Sequence, residues 1–74
     1  MSVPTAPSPE AKAAVYALRL DLIFETMELT ESYAISGREA AWRGDINELG
    51  LQVRRLRECT RTLIETLNQL TGDG

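Results

Sequence analysis

From Ile46 to Leu70, apolar side chains recur in alternating steps of three and four. The line runs Ile46, Leu49, Val53, Leu56, Leu63, Leu67 and Leu70, with Thr60 as its one polar member. Only a helix brings that spacing into one row. The row is as narrow as a coiled-coil seam, so it predicts long, near-parallel helical partners. Upstream, no proline or glycine interrupts the chain from Ala11 to Ser36, and two rows run along it. The first is Tyr16, Leu20, Ile23 and Met27, continuing in small residues through Thr30, Ala34, Gly37 and Ala41. The second, Val15, Leu18, Leu22 and Leu29, falls on nearly the opposite side of the same helix. A helix that is apolar on two sides needs two neighbours. The second helix folding back covers the first row, with Tyr16, Leu20, Ile23 and Met27 meeting the Ile46–Leu70 row as a hairpin seam. A second chain, or another protein, is the economical cover for Val15, Leu18, Leu22 and Leu29.

Capping residues set the limits of these helices. Ser8-Pro9-Glu10 is a helix start, with Ser8 as N-cap, Pro9 at the first helical position and Glu10 on the positive end of the dipole. Two places fit a capping box and could hold the turn: Ser36-Gly37-Arg38-Glu39 and Asp45-Ile46-Asn47-Glu48. The second is favoured, because Gly44 suits a left-handed C-terminal cap and the long row begins at Ile46. The predicted fold is all-α. A long antiparallel helical hairpin has one helix over about 9–43, with a kink allowed near 36–37, and another over about 46–71. It pairs with a second copy as a dimeric four-helix bundle. Residues 1–8 read as a disordered N-terminal tail, 9–71 as the hairpin domain and 72–74 as a frayed C-terminus.

Composition sharpens this picture. Seventy-four residues are close to the lower limit for a self-sufficient core, where oligomerisation, a metal or disulfides commonly help. With no histidine and Cys59 as the single cysteine, a classical zinc site and an intrachain disulfide are both ruled out, which leaves oligomerisation. A lone thiol fits a reducing cytoplasm. The start of the chain lacks the features of a secretory signal, and no run reaches the ~20 apolar residues of a membrane span. A net charge of −3 and a pI near 4.8 argue against general attraction to nucleic acid or anionic membranes.

Candidate chemistry is sparse. Arg54, Arg57 and Arg61 form a stripe on one helical face with Arg55 beside it, and guanidinium forks suit phosphate or carboxylate. The simpler expectation is that they meet Asp21, Glu25, Glu28 and Glu31 of the first helix across the hairpin. Nucleic-acid binding through the stripe is the competing reading. The acidic residues lack the Glu-x-x-His pattern of helical di-metal sites, so no metal, cofactor or catalytic residue is assigned. Cys59 flanks the predicted seam, Thr60 bonds its own helix backbone, and Trp42 and Tyr33 are expected to fill the end of the bundle.

The segment Ala40-Ala41-Trp42-Arg43-Gly44-Asp45-Ile46-Asn47-Glu48-Leu49 resembles the helix–Gly–Asp–helix elbow of tetratricopeptide repeats and of flagellar export chaperones. The first resemblance implies repeated units, of which one is present here, and the second implies capture of a partner helix. The functional expectation is a small non-enzymatic interaction module, an adaptor, chaperone or assembly factor, acting as a homodimeric helical bundle that offers a helical face to another protein.

Overall fold

The structure, a computed structural model, describes residues 8–72. It holds two helices, α1 (Pro9–Arg43) and α2 (Ile46–Gly72), packed against each other as an antiparallel hairpin. The expected tail falls, apart from Ser8, outside the described residues, as do positions 73 and 74. α2 continues one residue beyond its predicted end, to Gly72.

Local chemistry accounts for each boundary. The Ser8 hydroxyl accepts from the Ala11 N–H at 3.1 Å, and Pro9 opens α1 where no donor is needed. At the other end Gly44 adopts φ 70° and ψ 21°, the only positive φ among the described residues. Its N–H donates to the Ala41 carbonyl at 3.1 Å, and the Asp45 N–H donates to Ala40 at 2.9 Å. Those two bonds make a Schellman cap, which requires a residue tolerant of the left-handed region. Asp45 then starts α2 by accepting from the Glu48 N–H at 3.1 Å. The return arm of the predicted capping box is diverted: Glu48 instead accepts from the Gln52 amide at 2.7 Å. The turn thus lies at 44–45, and α1 passes through Ser36-Gly37 without interruption.

Gly37 has another use. It is buried, and a Cβ placed on it would meet the Gln52 Cβ at 3.4 Å, so α1 and α2 come together closely there. The hairpin is a thin rod of 62 × 20 × 19 Å, with a radius of gyration of 17.7 Å where a compact domain of this length has about 11 Å. α1 has 35 residues against 27 in α2 and outruns it by eight, a stretch of about 12 Å.

The seam between the helices differs from the predicted one by a single position on each helix. Three adjacent rows can be followed along α1. A shared row holds Tyr16, Ile23, Thr30 and Gly37, an inner row Arg19, Thr26, Tyr33 and Ala40, and an outer row Leu20, Met27, Ala34 and Ala41. On α2 the shared row is Leu49, Leu56, Leu63 and Leu70, the inner row Gln52, Cys59 and Thr66, and the outer row Ile46, Val53, Thr60 and Leu67. The seam was expected to join shared and outer rows; the structure joins shared and inner rows. Ile23, Leu49, Leu56, Leu63 and Leu70 are half-buried, and Thr26, Ala40, Gln52, Cys59 and Thr66 are buried. Tyr16, Leu20, Met27, Ile46, Val53 and Leu67 stand outside the contact and are exposed. Size explains the choice. Small side chains at Gly37, Ala40, Thr26, Cys59 and Thr66 let the backbones approach, whereas a second bulky row of leucine and methionine beside the shared leucines would hold them toward the wide end of the 8–10 Å range.

Candidate functional site: two unequal faces of the hairpin

Because the seam uses the inner rows, the large apolar side chains are displaced to the two broad sides of the rod. On one side lie the outer rows of both helices, Leu20 and Met27 facing Val53 and Leu67 across the top of the seam. Phe24 and Ile64 border this side and are also exposed. No charged residue occurs in the shared or outer row of either helix. Thr60, the polar member, has its hydroxyl committed to the Leu56 carbonyl at 2.9 Å and so presents a methyl group.

The opposite side is mixed. Leu22 and Leu29 of α1 face Arg55 and Thr62 of α2 across an open groove of about 450 Å³, floored by Thr26 and Cys59. Val15 lies on the same side nearer the start of α1, while Leu18 points further outward and is 67% exposed. The row Val15, Leu18, Leu22 and Leu29 is therefore uncovered in the single chain, with apolar residues contributed by α1 alone. The Arg55 guanidinium sits 5.4 Å from the centre of the Tyr33 ring and closes one end of this groove with a cation–π contact.

The arginine stripe engages its own helix. Arg57 and Arg61 approach the same Glu58 carboxylate, at 3.8 and 3.7 Å. The ion pairs expected with Asp21, Glu25, Glu28 and Glu31 do not form among the described residues, because these acids and Arg54, Arg57 and Arg61 occupy the outward surfaces of their helices. Pairs this exposed contribute about 0–1 kcal/mol each. Among the described residues no group of three His, Cys, Asp or Glu side chains could hold a metal, and no helix is long and apolar enough to cross a membrane.

No protein-family model, curated protein or solved structure matches this chain. What the two faces can do rests on their own chemistry.

Two residues depart from expectation. Trp42 was expected to fill the bundle end but is 91% exposed beside the turn, flanked by Arg38, Glu39 and Arg43. It stands on the outward side of the last turn of α1, whereas Ala40 in the same turn faces α2 and is buried. Cys59 was placed beside the seam and instead lies in it, 7% exposed. Sequence reasoning also passed over Gln52, 3% exposed, whose side-chain carbonyl has no hydrogen-bond partner. Its polarity hid it, since an apolar row is found by looking for apolar residues.

Proposed function

We propose that this chain is a small non-enzymatic interaction protein that works as a homo-oligomeric helical bundle, most simply a dimer, and offers a helical face to another protein. Adaptor, chaperone and assembly roles share that chemistry. One observation supports the reading above all others: among the described residues the only buried apolar ones are Ala40 and Cys59. A folded domain gains most of its stability from burying large apolar side chains, at about 25 cal/mol per Å². Here those side chains lie on the surface, and patches that large on soluble proteins serve contact. The groove along Leu22, Leu29 and Tyr33 suits the apolar side of a partner helix. A cytoplasmic location belongs to the same reading and rests on the single thiol.

The experiment is a mass determination in solution, by light scattering across a concentration series. A mass of twice the chain or more is expected at micromolar concentration. A compact monomer throughout would remove the basis of the reading. Nucleic-acid binding through Arg54, Arg57 and Arg61 is the competing proposal, weakened by the engagement of two of these arginines with Glu58. It predicts affinity for RNA or DNA that falls steeply with salt and with each arginine replaced by alanine.

A further inference from the structure

We propose that the second copy docks on the Leu20, Met27, Val53 and Leu67 side of the hairpin, with its turn at the opposite end of the bundle. This rests on the homo-oligomeric reading above and names the face and orientation that it leaves open.

The face follows from an angle. In a square four-helix bundle each helix turns its apolar row toward the central axis, along the diagonal, about 45° away from the direction of either neighbour. A two-helix coiled coil that is complete in itself turns that row straight at its partner. In this hairpin the contact is centred between shared and inner rows, and the uncharged apolar band between shared and outer rows. Neighbouring positions of a heptad wheel are separated by about 51°, so the apolar band is rotated from the contact by about that angle. Both helices rotate toward the same broad side. The hairpin thus has the shape of half a four-helix bundle.

The available area is sufficient. The chain exposes 5977 Å², against about 4,500 Å² for a compact monomer of its mass. The difference exceeds the roughly 800 Å² that each partner contributes to a standard interface. The other broad side is a poorer match for a second copy, because its α2 half carries Glu48, Arg55, Thr62 and Gln69 where the first side carries Ile46, Val53, Thr60 and Leu67.

Orientation follows from layer volumes. Arg19 reaches the Gln69 carbonyl and Gly37 abuts Gln52, which sets Leu20 level with Leu67, Met27 with Thr60, Ala34 with Val53 and Ala41 with Ile46. Layers are therefore bulky at the open end and small at the turn. Placing two turns at one end would stack bulky on bulky and small on small. Reversing one copy matches Leu20 and Leu67 with the second copy's Ala41 and Ile46, and each layer is filled evenly. The same reversal stacks α1 on α1 and α2 on α2 of the second copy, and sets Gly50 about level with the second copy's Ile64. Gly50 has nothing within 4 Å of where a Cβ would stand, a bare patch of helix able to seat that side chain.

The test uses the full chain. Met27→Lys and Val53→Lys change residues already half-exposed in the hairpin, so helicity by circular dichroism is retained while the dimer dissociation constant rises at least about a hundredfold. Leu22→Lys and Leu29→Lys, on the other side, leave the mass at that of a dimer. The reverse result, with the dimer lost through Leu22 and Leu29 and kept through Met27 and Val53, overturns the choice of face. Orientation is read without weakening the interface, from nitroxides at Arg43→Cys in a Cys59→Ala background. Turns at opposite ends separate the two labels by on the order of 40 Å. A distance under about 25 Å overturns the orientation. Wild-type mass tests the oligomeric reading itself, so a monomer there is told apart from a dimer formed by the wrong face.

Discussion

The inside of this hairpin and its flank have exchanged the roles usual in globular proteins. Between the helices lie Thr26, Ala40, Gln52, Cys59 and Thr66, small or polar and almost free of solvent. Two positions around each helix lie Leu20, Met27, Val53 and Leu67, large and apolar and roughly half bare. The difference separates two requirements that a larger core meets with one set of residues. Close approach of two backbones calls for small side chains; removal of apolar area from water calls for large ones. A pair of helices 20 Å thick can satisfy the first by itself and has no third layer for the second.

Substitutions inside the seam should break this arrangement most. Gly37→Leu forces a branched side chain into a gap where even a Cβ would stand 3.4 Å from the Gln52 Cβ, and should lower the unfolding free energy by about 3 kcal/mol in a denaturant titration at fixed protein concentration. Gly37→Ala, by contrast, meets only ordinary contact at that distance and gains helix propensity, so its midpoint should hold or rise. Leu56→Ala comes next, a loss of about 2 kcal/mol from a half-buried site, readable from the same midpoints. Gln52→Met should move the other way. It removes a buried carbonyl oxygen that has no partner, and a rise of about 1 kcal/mol is expected; a loss would mean that Gln52 holds the register of the two helices. Glu58→Gln should matter least, under about 0.5 kcal/mol and less still in high salt, because its two arginine partners are solvated.

Boundaries were readable from sequence because their causes are local. Ser8-Pro9 and Gly44-Asp45 act through hydrogen bonds within a few residues of themselves, and both ends formed as predicted. The hairpin was readable for the same reason, since one tight cap between two long helices leaves few alternatives. The seam was not. Periodicity finds the centre of the most apolar band, and on both helices that centre runs through the shared and outer rows. Which neighbour a band faces, in the chain or across to another, is decided by side-chain size at the contact, and Cys59, Thr66 and Gln52 carry no hydrophobic signal strong enough to compete with Val53 and Leu67. The arginines failed for a related reason. Matching acidic and basic stretches by distance from the turn ignores the side of the helix on which each charge stands.

The unequal lengths of the two helices carry a last consequence. Amide protons over residues 11–14 are held only by bonds within α1 and to its Ser8 cap, with no second helix alongside to slow local opening, so on the hairpin alone they should exchange with deuterated solvent far sooner than those near Ile23 or Leu56. Protection that appears there on raising the concentration, or on adding another macromolecule, would report directly which of them lies against the projecting end.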